Sequence, residues 1–148
     1  MVKTIEMVCL LLAVVFTILD FCISTVGFYL RDIGLLNAYI YECNVWRIRF
    51  GFNDYVAITL ATLTSTLLIL FSTLLMKSNN IILKMFGIDI ATIVGITKIT
   101  AVINNVLILT LNTSILLPLL DIVNVVLIIT TTSIINYRLV VNWLRRNT

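Results

Sequence analysis

The stretch GIDIATIVGITKITAVINN, residues 87–105, is apolar enough to lie in a lipid bilayer, yet it carries Lys98 near its middle. Small residues recur in it every fourth position, at Gly87, Ala91 and Gly95. Residues three and four apart share one face of a helix, so these three form a stripe that lets two helix backbones approach closely. Lys98 falls three residues beyond Gly95 on that face, and Ala101 and Asn105 continue it. A charge is tolerated on a face packed against protein and strongly disfavoured against lipid. The stretch therefore reads as a membrane helix that turns Lys98 toward a partner.

The rest of the chain fits this reading. Of 148 residues, 61% are hydrophobic and 11% are charged. A soluble domain is about half apolar and about one quarter charged, so this chain lacks the polar surface to stay in water. Crossing the hydrocarbon core takes about 20 apolar residues in a helix. Four stretches qualify, at about 7–30, 55–76, 85–111 and 115–137, the last with an apolar extension to Leu144. Their continuous apolarity argues for helices, because barrel strands alternate over about ten residues. Pro118 stands near the start of the fourth stretch, where a helix accepts it. The expected fold is all-α: one integral membrane domain, a four-helix transmembrane bundle. The first stretch follows Lys3 as a signal peptide would, but it is longer than a signal core and no small-x-small site follows, so it is read as a retained span.

Lys and Arg favour the cytoplasmic side. Four spans place Lys3, Lys77, Lys84, Arg138, Arg145 and Arg146 on one side and Arg31, Arg47 and Arg49 on the other. This bias predicts cytoplasmic N- and C-termini in a plasma membrane or endomembrane. The first loop, RDIGLLNAYIYECNVWRIRFGFND, is the longest, and its Tyr39, Tyr41 and Trp46 suit the membrane interface. A loop lying on the bilayer surface is the simpler reading, and a recognition surface the sharper one. The second loop, KSNN, is a tight turn. The third holds a formal glycosylation sequon, Asn112-Thr113-Ser114, too near the membrane to be expected in use. Cys43 in the first loop is free, paired with Cys22, or linked to another chain. Cys9, near the cytoplasmic face, is a palmitoylation candidate, although apolar filler is the simpler reading.

Every span shows a small or polar face. Ala13, Thr17, Asp20, Ser24 and Gly27 align on the first. Thr59, Thr62, Ser65, Thr66, Ser72 and Thr73 form a hydroxyl band on the second. Asp121, Asn124, Ile128, Thr131, Thr132 and Ile135 share a side of the fourth. A lone charge at mid-membrane costs at least about 2.5 kcal/mol, so Lys98 is expected to pair with Asp20 or Asp121. One acid of this cluster is then left over. Asp89 points away from Lys98 and is expected to pair with Lys84 or reach the interface.

The chain has no histidine, which removes His-ligated metals and His-based triads. It has no CxxC pair and no glycine-rich phosphate loop, so neither an enzymatic role nor a cofactor is expected. Nucleic-acid binding has no support. The expected partners are the lipid bilayer and a membrane-protein partner or a second copy. The layout of four spans with a larger first outer loop resembles that of claudin-type and MARVEL-type tetraspan proteins. That resemblance is one of topology, since Cys43 precedes Trp46 and stands alone where the claudin loop has a tryptophan followed by paired cysteines. Two function classes follow. The intramembrane charges are internal glue in a structural or accessory component of a membrane assembly or cell-contact structure. Alternatively, Asp20, Lys98 and Asp121 line an ion or proton path in a channel or transporter subunit. The first is preferred, because no repeated halves or selectivity filter are present.

Overall fold

The computed structural model describes residues 2–36, 45–111 and 117–147. It is helical throughout: α1 (Val2–Asp32), α2 (Val45–Phe50), α3 (Asp54–Met76), α4 (Ile81–Leu111) and α5 (Leu117–Asn147). No strand occurs among the described residues. All but the short α2 are long and apolar enough to cross a membrane. The four expected spans are present, and α1, α4 and α5 run beyond the apolar cores read from the sequence.

Local chemistry sets the helix ends. Gly34 follows α1 with φ of 75°, a conformation that favours glycine. There the Gly34 N–H donates to Arg31 O and the Leu35 N–H to Leu30 O, closing the helix with a Schellman turn. The Asn53 side chain accepts the Val56 N–H and caps α3. Between α3 and α4, Asn80 accepts the Ile82 N–H at 2.8 Å, so the KSNN turn both stops one helix and starts the next.

Side-chain registers fix the topology. Glu6 meets Lys84, Cys9 meets Thr92 and Ser24 meets Asn105, so α1 and α4 run parallel. Arg31 meets Asp54 and Ser72 meets Gly87, so α3 runs antiparallel to both. Asn124 meets Thr100 and Asn136 meets Asp89, so α5 runs antiparallel to α4. The start of α1, the KSNN turn and the second half of α5 therefore share one end of the bundle. The start of α3 and the end of α1 lie at the other.

Helix α4 is central and packs against α1, α3 and α5. In its most apolar window 44% of residues are buried, against 6% in the described part of α5, which rests mainly on α4. The core has three apolar levels. Cys9, Met76, Ile88, Ala91 and Leu139 form the first, Ala13, Ile69 and Val94 the second, and Phe28 and Ile58 the third. Large apolar side chains such as Leu11, Ile18, Leu67, Phe71, Phe86 and Ile103 point outward and are exposed. This inside-out apolar surface is what a hydrocarbon solvent demands of a helix bundle.

Candidate functional site, a buried polar centre

Between the second and third apolar levels, α1 and α4 bring charged groups together. The Lys98 ammonium Nζ lies 2.7 Å from Asp20 Oδ2, and the two residues are only 9% and 4% exposed. The other carboxylate oxygen, Asp20 Oδ1, accepts from Asn105 Nδ2 at 3.1 Å and, at a longer 3.5 Å, from Ser24 Oγ. Asn105 Nδ2 also donates to Ser24 Oγ at 2.9 Å. Both carboxylate oxygens are thus engaged, one by a cation and one by neutral donors. The pair cancels its own charge, and its hydrogen bonds offset part of the desolvation of each ion.

The helix faces read from the sequence explain how the pair forms. Ala13, Thr17, Asp20, Ser24 and Gly27 are all buried, so α1 presents this whole face to its neighbours. Gly87, Ala91 and Gly95 are buried as well. They do not, however, serve one partner. A Cβ built on Gly95 would stand 3.5 Å from Ala13 N, so Gly95 faces α1. One built on Gly87 would stand 2.8 Å from Ser72 O, so Gly87 faces α3. Eight residues at about 100° each leave the two positions about 80° apart around the helix, which is how one stripe serves two neighbours. Ser72 Oγ donates to Gly87 O at 2.6 Å and ties α3 to α4 at that close approach.

Of the two acids expected near Lys98, Asp20 is its partner. The side chain of Asp121 lies outside the described residues, so the three-membered cluster is described only for Asp20 and Lys98. Sequence reasoning gave Asn105 a place on the face but no role. Its signal was the spacing of seven residues from Lys98, two helical turns, which places an amide within reach of the same carboxylate.

Two expectations are corrected. The hydroxyl band of α3 is packed only in part: Ser72 and the hydroxyl oxygen of Thr62 are buried, while Thr59 and Thr66 are exposed. Thr59, Ser65, Thr66 and Thr73 each donate to the carbonyl four residues earlier in their own helix. A threonine or serine satisfied in this way does not need a protein-facing position. Asp89 does not pair with Lys84. It accepts from Asn136 Nδ2 on α5 at 3.0 and 3.1 Å, while Lys84 Nζ lies 3.4 Å from Glu6 Oε1 on α1. Asp89 is turned toward α5, and Lys84, five residues earlier, is turned toward α1. On α5 the expected face holds: Asn124, Ile128, Thr131, Thr132 and Ile135 are all half-buried. Thr100 Oγ1 donates to Asn124 Oδ1 at 2.6 Å, so two polar contacts hold α5 to α4 along its length.

The end of the bundle opposite the KSNN turn carries a second cluster that the sequence did not reveal. Asp54 accepts from Arg31 Nη1 at 2.7 Å, and Arg47 Nε of α2 lies 2.6 Å from its other oxygen. Arg31 also pairs with Asp32, whose carboxylate accepts from the Tyr55 hydroxyl at 2.8 Å. Phe28 lies under both, edge-to-face with Tyr55 and 5.4 Å beneath the Arg31 guanidinium. This cluster clasps α2 and the end of α1 to the start of α3. Part of the first loop, including Cys43, lies outside the described residues. Cys9 and Cys22 are free thiols.

No protein-family model, curated protein or solved structure matches this chain. Among the described residues no group of three or more His, Cys, Asp or Glu side chains is placed to hold a metal ion. The chemistry of the site is therefore that of an internally neutralised ion pair with amide and hydroxyl donors around it.

Proposed function

We propose that this chain is a small four-span membrane protein that acts as a structural or accessory component of a membrane assembly or cell-contact structure. The observation that carries this reading is the closed Lys98–Asp20 pair. Its charges face each other at 2.7 Å and are largely buried, an arrangement suited to fixing the register of α1 against α4. A conducting path would instead offer its charges to a passing ion. The exposed face of α5 supports the same reading, since Ile122, Val125, Val126, Ile129 and Tyr137 lie open to lipid or to a neighbour.

Reconstitution tests this directly. Purified protein in liposomes is expected to give no ion or proton flux above protein-free vesicles, and one partner is expected to co-purify in fixed ratio in mild detergent. Flux that disappears with Asp20→Asn or Lys98→Met would overturn the accessory role and establish a channel or transporter subunit.

The orientation proposed with it places both termini in the cytoplasm. Six basic residues against three support it, and so does the packing of the start of α1 beside the second half of α5. In intact cells, a single reporter cysteine at either terminus is expected to resist a membrane-impermeant thiol reagent, while one at Arg49 reacts. The reverse pattern would invert the topology.

A further inference from the structure

Two further side chains, Thr17 on α1 and Thr62 on α3, carry buried hydroxyl oxygens. Thr17 stands on the packed face of α1 one turn before Asp20. It is 3% exposed, and its Oγ1 has no hydrogen-bond partner among the described residues. Thr62 of α3 presents a second buried hydroxyl oxygen in the same condition. The register of α1 against α3 runs from Ala13 beside Ile69 to Phe28 beside Ile58. It sets Thr62 opposite the turn of residues 21–24, at the level of Asp20 and Ser24. The two hydroxyls thus lie near the level of the ion pair, on two helices that pack against each other.

Lys98 has needs of its own. An ammonium carries three N–H donors, and Asp20 Oδ2 is the acceptor found for it among the described residues. A buried donor or hydroxyl that finds no partner destabilises the fold. In a bundle surrounded by hydrocarbon, bulk solvent does not reach it.

We propose that water is bound inside the bundle at the Lys98–Asp20 pair, bridging the ammonium to the hydroxyls of Thr17 and Thr62. Water fits where other ligands do not. The centre is electrically neutral, so an anion would meet Asp20 and a cation would meet Lys98. The ammonium can only donate and so requires an acceptor, while a threonine hydroxyl both donates and accepts. Water does both, and a polar pocket offering two to four partners retains it. The bound water also gives α3 its link to the centre, which among the described residues is otherwise built by α1 and α4.

Solid-state NMR of the full chain in liposomes tests this. With 15N-labelled lysine, the Lys98 Nζ signal is identified by its contact with an aspartate carboxylate carbon. Magnetisation transfer from water to that nitrogen is expected in the parent protein. It is expected to vanish in Thr17→Val/Thr62→Val and to persist in Thr17→Ser/Thr62→Ser, which keeps both hydroxyls. No transfer in the parent overturns the proposal, whether or not the valine variant folds. Transfer that survives in a folded valine variant overturns the role of the two threonines.

Discussion

Lys98→Met is expected to lose most of its folded yield, because it leaves Asp20 buried among helices with no counter-charge. Breaking a buried pair from one side costs roughly 3–5 kcal/mol in soluble proteins, more than the intact pair contributes. The geometry also predicts which second change restores stability. Asp20→Asn in the Lys98→Met background removes the stranded charge and keeps an amide for Asn105 and Ser24 to bond. Asp121→Asn leaves Asp20 as it was and should restore little. The check is the midpoint of unfolding as a denaturing detergent is titrated against a mild one. A parental midpoint for Lys98→Met, or equal rescue by the two asparagines, would remove Asp20 as the partner.

Gly87→Ala is expected to be the other costly change. Its new methyl would meet Ser72 O at 2.8 Å, with Leu75 Cβ and Met76 Cγ at 3.0 Å. The first of these is backbone in the last turns of α3 and cannot swing aside. Overpacking of this kind costs typically about 1–3 kcal/mol, and it threatens the Ser72–Gly87 hydrogen bond as well. Gly95→Ala makes the informative contrast. Its methyl would sit 3.5 to 3.8 Å from Ala13 and Leu12, which is ordinary contact, so a near-parental midpoint is expected. Gly95→Leu, with a branched side chain against Ala13, should be harmful. A larger loss for Gly95→Ala than for Gly87→Ala would place the tight helix crossing at α1 instead of α3.

The spans were legible because hydrocarbon imposes one coarse requirement, a long apolar helix, and composition answers it directly. The buried face of α1 was legible because small and polar residues recur on it at helical spacing, from Ala13 to Gly27. Lys98 needed a partner within helix reach, and of the three acids in the spans Asp89 points away from it, which limited the choice to Asp20 and Asp121. What escaped was whatever depends on which helix sits beside which. Hydropathy does not show that α4 is central and α5 peripheral, and so it could not turn Asp89 toward Asn136. Nor does it show that a threonine is satisfied by its own helix, which is why the α3 band looked like a packed face. The Arg31–Asp54–Arg47 clasp joins residues up to 23 positions apart across an irregular loop, where no periodicity operates.

The parallel pairing of α1 with α4 has a consequence for how the chain is made. Synthesis runs from the N-terminus, so α1 and its Asp20 emerge 78 residues before Lys98. When α4 leaves the ribosome, the carboxylate that neutralises its lysine is already waiting in an earlier helix. Helix α5 comes last, and no group in the Lys98–Asp20–Asn105–Ser24 network belongs to it. Lys98, Asp20, Asn105 and Ser24 are thus all translated ahead of the final helix, and α5 is the last to join them.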